Sequence, residues 1–426
     1  MFTPFSRWWS ALGTLALVLT VPSPSQAQAT GLSETQAMRR ALRSAPAVHA
    51  ARSSLTAHHG VSRAAGGALV GPPRVELSAG ARRSGPADTG LELSLGAWQD
   101  IAVSGLGDAR RGYARALTAE SRAWLDVVRR DTAARAALAW VEARTARELL
   151  TLRMQIEKDA AELERIVAAR VSVGRAPPSE LSLARSVRGR AHADVLASEG
   201  RLHVAEVRLR FLAGLRADSK LTLSGPLVLA EPQHEPSEIE LVKRALARSP
   251  ALAHLASAPR TSEALARSTL AAAAPPIAVG PSISREGTGD LIFLGRVSFP
   301  LPTANPAAFE AARLRANAAS ARAELARLRT EIELATRLAY HERYHARDTR
   351  NALWSGAVLP AREALREANR RYEAGEAELA LVLTARRELS AAQERWTESA
   401  ADVRRADVEL WQLTGWPSRL DGGWSP

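Results

Sequence analysis

The 426-residue chain contains no cysteine. That absence excludes disulfide staples, thiolate metal sites, cysteine nucleophiles and a lipidated N-terminal cysteine. Aromatic residues make up only 5% of the chain, too few for a stacking platform of the kind that binds single-stranded nucleic acid. Lysine is limited to Lys158, Lys220 and Lys243, so the net charge of +12 is carried almost wholly by arginine. Those arginines are spread evenly and interleaved with glutamates, the pattern of solvated helix faces rather than of a nucleic-acid footprint, which should cluster. After the N-terminal segment no run approaches the 18 or so apolar residues of a membrane-spanning helix. A membrane-embedded part would therefore have to be a β-barrel.

What is present is 46% hydrophobic residues, dominated by alanine and leucine, among many arginines and glutamates. Such a composition can bury a core and favours long helices or coiled coils. Residues 1–29 have the form of an export signal: Arg7, an apolar run over Ala11–Val21, and the small-x-small site Ala27-Gln28-Ala29. The apolar run, 11 residues long, is too short to span a bilayer as a helix.

The chain is written twice. SETQAMRRALRSAP from Ser33 is echoed by SEIELVKRALARSP from Ser237. Val173-Gly174 is echoed by Ala374-Gly375, and Leu212-Ala213-Gly214 by Leu413-Thr414-Gly415. The offsets are 204, 201 and 201 residues, which defines a duplicated unit. The expected organisation is a signal over 1–29, a first repeat over 30–230, a second over 231–416 and a tail over 417–426.

Each repeat predicts the same layout. A helix spans 33–65 in the first and 237–274 in the second, with Ser33 and Ser237 as N-caps followed by acidic residues. A β-hairpin follows, over 73–102 and 276–301, with strand-like runs at 74–82, 90–102, 277–285 and 291–301. In these runs Leu91, Leu93 and Leu95 alternate with Glu92 and Ser94, and Leu291, Phe293, Val297 and Phe299 alternate with Ile292, Leu294, Arg296 and Ser298. Period-two alternation predicts strands with one greasy and one wetter face. A long α-hairpin completes each unit, over 109–215 and 307–413. Leu149, Leu152, Ile156, Leu163, Ile166 and Val173 outline a heptad seam, and Gly174 and Gly375 mark the reversals.

The fold class expected is mainly α with a minor β part: long coiled-coil α-hairpins with two strands per repeat, four per protomer. Four strands leave unpaired edges, which disappear if several subunits donate strands to one closed barrel in lipid. At these residues the chain resembles the TolC-like outer membrane factor family of bacterial export ducts. The resemblance is carried by SETQAMRRALRSAP, LSLGAWQDIAVSGLGDARRGYARA, GRVSFPLPTANPAAFEAARLRA, VSVGRAPPSELSLAR, YEAGEAELALVLTAR and the terminal WQLTG, in order and in both repeats.

The resemblance implies a homotrimer with a twelve-stranded transmembrane barrel in the outer membrane. It implies an α-barrel crossing the periplasm, and an equatorial region near 219–235 and the C-terminal tail. Partners implied are a periplasmic adaptor protein, an inner-membrane pump and outer-membrane lipid, with no nucleic acid and no cofactor. It places adaptor contacts at Val173, Gly174, Arg175, Ala374, Gly375 and Glu376. Glu180, six residues past Gly174, could form an acidic gate ring, although the corresponding Leu381 and the nearby Thr384 carry no charge.

Two other classes compete. One is a periplasmic coiled-coil adaptor or structural protein. The other is a zinc hydrolase, because His341-Glu342-Arg343-Tyr344-His345 spells HExxH, with Glu363 imaginable as third ligand. The motif sits in an Arg-rich stretch of a long helix, and the duplication derives that helix from a first copy, around Trp140, that lacks it. His58-His59 reads as surface chemistry. The expectation is a passive conduit and no enzyme.

Overall fold

A computed structural model describes residues 31–67, 69–83, 89–228, 235–301 and 307–415. The signal-like segment, the C-terminal tail, part of the equatorial segment and part of the second strand-to-helix passage lie outside the described residues.

Each repeat contributes two short helices, two strands and a long helical hairpin. The first comprises α1 (Glu34–Ser44), α2 (Pro46–Ala64), β1 (Arg74–Arg83), β2 (Thr89–Ile101), α3 (Leu106–Ser172) and α4 (Pro178–Leu212). The second comprises α5 (Glu238–Arg248), α6 (Pro250–Ala273), β3 (Ile277–Arg285), β4 (Leu291–Ser298), α7 (Ala308–Leu353), α8 (Leu359–Ala374) and α9 (Leu379–Thr414).

Both N-cap serines act as expected. Ser33 accepts from the Gln36 amide at 3.3 Å and donates its own to the Gln36 side chain at 2.9 Å. Ser237 and Glu240 repeat this reciprocal box at 3.4 and 2.8 Å. The single helices expected over 33–65 and 237–274 are each broken. Pro46 and Pro250 force Ala45 and Ser249 into extended backbone, and each proline then opens a new helix at a position that needs no amide hydrogen.

The long helices also differ between repeats. α3 runs 67 residues without interruption, about 100 Å at 1.5 Å per residue. Its counterpart is split by a π-turn at Trp354–Val358, just before Pro360. Proline has no amide hydrogen and its ring crowds the carbonyl four residues back. The wider turn, in which the Leu359 amide reaches Trp354, takes up that mismatch.

The seam on α3 is also rotated from expectation. Leu163 is buried as predicted, but Leu149, Leu152, Ile156 and Ile166 are only half-buried and Val173 is exposed. Leu150, Ala160 and Val167 fill the seam instead, because α3 packs against α4 on one side and α9 on another. Burial against two neighbours broadens the apolar stripe beyond a two-stranded heptad.

The core is divided along this length. Around Trp140, which donates its indole N–H to the Leu32 carbonyl at 2.8 Å, cluster Val141, Leu209, Leu221 and Leu227. Leu32 also pairs with Leu223 in an isolated parallel bridge, so the first described residues are tied into the equatorial segment. Nearby, the fully buried Arg404 pairs with Glu34 and with Asp407 at 3.5 Å, and stacks 4.3 Å from the Trp411 ring. Arg343 extends the network by binding Asp407 at 2.6 Å. Burial pushes the Glu34 carboxyl up in spite of Arg404.

Candidate functional site

The four strands form one antiparallel sheet in the order β1-β2-β3-β4, so β2 and β3 join the two repeats and β1 and β4 are edges. Register sorts most of the side chains by face. Leu77, Leu95, Ile283 and Phe293 lie in one row across the sheet, as do Val75 and Ala97 in the next. Val75, Leu77 and Phe293 are each more than 70% exposed in the isolated chain, more than any core residue of a protein in water tolerates as a continuous face.

The opposite face is mostly polar, with Ile292 and Leu294 of β4 as its apolar exceptions. Ser78 and Ser94 share a hydrogen bond at 2.6 Å, Arg74 pairs with Asp100 at 2.7 Å, and Arg82 reaches Glu92 at 3.4 Å and Glu286 at 3.3 Å. On this face Trp98 lies over Gly96 and Gly280. A Cβ on Gly280 would stand 1.8 Å from the Ala97 carbonyl oxygen, so only glycine permits this approach of β2 and β3.

At the far end of the helices the two hairpin turns lie together. Gly174 and Gly375 adopt left-handed backbone, φ 72° and 81°, and no atom stands within 4 Å of where a Cβ would be. Glycine is required there by conformation and not by crowding. The closures match: the Arg175 amide donates to the Arg170 carbonyl at 2.9 Å, and the Glu376 amide to the Arg371 carbonyl at 2.8 Å. Val173, Gly174, Arg175, Ala374, Gly375 and Glu376 are all exposed on these two adjacent turns.

Behind the turns the hairpins interlock. Tyr372 is buried among Leu163, Val167, Ala184, Leu379 and Val382. Its hydroxyl donates to the Glu180 carboxylate at 3.0 Å. Arg170 donates to the Tyr372 carbonyl at 2.6 Å and lies 4.4 Å from its ring centroid. Burial, and then the hydrogen bond to Glu180, push the Tyr372 phenol up to about 12. Glu180 is thus a half-buried partner of the opposite hairpin, a role its sequence position does not disclose. Leu381 and Thr384 are exposed on α9.

The HExxH residues are placed otherwise than a metal centre needs. His341 points toward Glu238, 3.4 Å away, while Arg343 is engaged with Glu235 and Asp407. Glu363 sits on α8 beside Arg366 at 3.9 Å. Among the described residues no three His, Asp or Glu side chains converge on a metal-sized site. His58 is hydrogen-bonded to Ser121. Sequence reasoning passed over Tyr372, Trp98 and the Glu34–Arg404 pair. All three depend on partners far away in the chain.

No family model matches the sequence, and no curated protein matches it at a significant level. Solved structures do match the fold. CusC is 16% identical, with a TM-score of 0.72 over 90% of this chain and 92% of that one. The CmeC outer membrane channel of Campylobacter jejuni is 14% identical, with a TM-score of 0.72 over 90% and 85%. The MtrE outer membrane channel of Neisseria gonorrhoeae, in its open state, is 17% identical, with a TM-score of 0.71 over 90% and 88%. From its short helices through both β-hairpins to its paired helical tips, this chain has the fold of these outer membrane channels.

Proposed function

We propose that the protein is an outer-membrane exit duct, a passive conduit for export closed by three copies of the chain. The observation that carries this reading is the two-faced sheet. An exposed apolar face backed by a polar, ion-paired one is what a barrel wall between lipid and a water-filled lumen requires. The unpaired edges β1 and β4 then close against those of neighbouring copies, twelve strands in all. A closed barrel leaves no backbone group unsatisfied in lipid.

The helices support the same closure. Along α4, Leu196, Val204, Val207 and Phe211 are exposed, and along α7 so are Leu334, Leu338 and Tyr344. Apolar stripes on two different helices suit a head-to-tail ring, in which each copy offers one stripe to the next. The exposed turns at Val173, Gly174, Arg175, Ala374, Gly375 and Glu376 are the surface available to a periplasmic adaptor, through which an inner-membrane pump would deliver cargo. The Tyr372–Glu180 hydrogen bond, repeated threefold, holds the tips together, and opening the duct breaks it. In this reading Glu180 gates by restraining a helix, whether or not the three copies also form an acidic ring.

The test is extraction of the full chain in detergent, measurement of its oligomer size, and single-channel recording in planar bilayers. A trimer with stepwise conductance is expected. A monodisperse, water-soluble monomer without conductance overturns the proposal.

A further inference from the structure

The polar face of the sheet carries an arrangement that charge pairing does not account for. Arg296 on β4 and Trp98 on β2 stand on either side of Gly280 on β3, in one register row. The missing side chain at Gly280 leaves a floor across which the guanidinium reaches the indole, its carbon 5.1 Å from the ring centroid. A Cβ on Gly280 would come within 2.9 Å of the Trp98 ring and one on Gly96 within 3.1 Å, so both glycines clear space for this indole.

Arg296 is exposed and has no carboxylate partner among the described residues. Three acids of the same face are paired. Asp100 is held by Arg74, and Glu92 and Glu286 are held by Arg82 near the hairpin loops. Glu92 lies six residues from Trp98 along β2, about 20 Å away at 3.3 Å per residue. Glu76 has no ion-pair partner and stands on β1, across from Gly96. Within one protomer that is three strand spacings from β4, about 14 Å. The closure proposed above sets β1 of the next copy beside β4, so Glu76→Gln is the control that shows whether this carboxylate engages Arg296. The row of Arg296 and Trp98 is at the helix-proximal end of the sheet, since β1 leaves α2 there and β4 leads to α7.

We propose that Arg296, laid over Trp98, is a specificity-determining residue, forming a cationic, aromatic collar where the helical tunnel meets the β-channel and favouring organic anions with a flat ring. The guanidinium keeps its edge donors free for a carboxylate or sulfonate, and the indole offers a face for the ring of the cargo. Threefold repetition would place three such pairs around one lumen. A ring of fixed charge in a narrow pore biases which ions enter. The inference rests on the conduit reading and deepens it by naming a cargo class.

The test is single-channel recording of the full-length protein in planar bilayers under a KCl gradient, with 2-naphthalenesulfonate as blocker. The wild type should favour chloride over potassium. Arg296→Gln should lower that preference severalfold and Arg296→Glu should invert it. Arg285→Gln removes an equal charge from the opposite, outward face of the same sheet and should leave the reversal potential unchanged. Trp98→Leu keeps the charge, so it should leave the chloride preference in place while raising the half-blocking concentration of naphthalenesulfonate at least about fivefold. Equal reversal potentials in wild type and Arg296→Gln, or block indifferent to Trp98, overturn the collar and leave the conduit standing. Absence of any conductance in correctly sized oligomers overturns both.

Discussion

The Tyr372 hydroxyl donates to the Glu180 carboxylate across 3.0 Å, joining the hairpin tip of one repeat to that of the other. A hydrogen bond to a charged group contributes about 1.5–3 kcal/mol. Tyr372→Phe removes it without changing the packing of the ring. The expected outcome is an open probability raised by roughly tenfold or more per protomer in single-channel records, with the oligomer intact. Unchanged gating in Tyr372→Phe and Glu180→Gln alike would remove the latch from the mechanism.

The same pair has a defined pH dependence. Burial raises the Tyr372 phenol to about 12, so the fold favours the neutral form. That contribution is fully present below the unfolded value near 10 and is lost as pH rises through about 12. Melting curves should show no tyrosine-linked loss up to pH 9, then a loss between 10 and 12 that Tyr372→Phe abolishes.

The Glu34–Arg404 pair is the second test. Arg404 is fully buried between Glu34 and Asp407, so Arg404→Leu leaves the buried Glu34 carboxylate without its cation, while Asp407 keeps Arg343 at 2.6 Å. The expected destabilisation is about 3–5 kcal/mol, read by denaturant or thermal unfolding of the purified protein. Glu34 has a raised carboxyl, so its contribution is present below the unfolded value of 4.5 and declines as pH rises above it. Glu34→Gln should flatten the decline in stability that sets in as pH rises above 4.5.

The two faces of the sheet should respond oppositely to charge. Leu77→Arg or Phe293→Arg introduces a guanidinium into the apolar face, at a cost of about 2–4 kcal/mol near a bilayer midplane, and membrane-fraction yield should collapse. Ser78→Arg and Ser94→Arg, on the polar face, should insert and alter only conductance. Equal tolerance on both faces would contradict a lipid-facing wall.

Gly280 should be irreplaceable and Gly295 permissive. A Cβ at Gly280 meets the Ala97 carbonyl oxygen at 1.8 Å, whereas none is crowded at Gly295. Gly280→Ala is expected to destabilise the β2–β3 junction by about 1–3 kcal/mol, and Gly295→Ala by far less. Comparative yields of folded oligomer would show it.

Much of this architecture was legible from the chain itself. The echo of Ser33 at Ser237 and of Gly174 at Gly375 announced two equivalent units. Both elements that close them, the capping boxes and the left-handed turns, are local, and local chemistry is written in adjacent residues. The alternation of Leu91, Leu93 and Leu95 with Glu92 and Ser94 likewise foretold the two faces. The breaks at Pro46 and Pro250 were equally local and were passed over, because helical periodicity continues on both sides of each proline. Val173 failed as a seam residue because the turn carries it out of the packed stripe.

Repetition, helical period and strand alternation follow from nearest-neighbour sterics and from the pattern of apolar residues, so the sequence alone determined which elements form and in what order. Contacts between distant segments depend on how those elements pack, and that was decided only in three dimensions. Tyr372 meets Glu180, Arg404 meets Glu34 and Arg296 meets Trp98 because helix packing and sheet register bring them together from positions nearly two hundred or more residues apart. No spacing along the chain encodes such a meeting, since it is fixed by the sum of many small packing preferences and not by any single one.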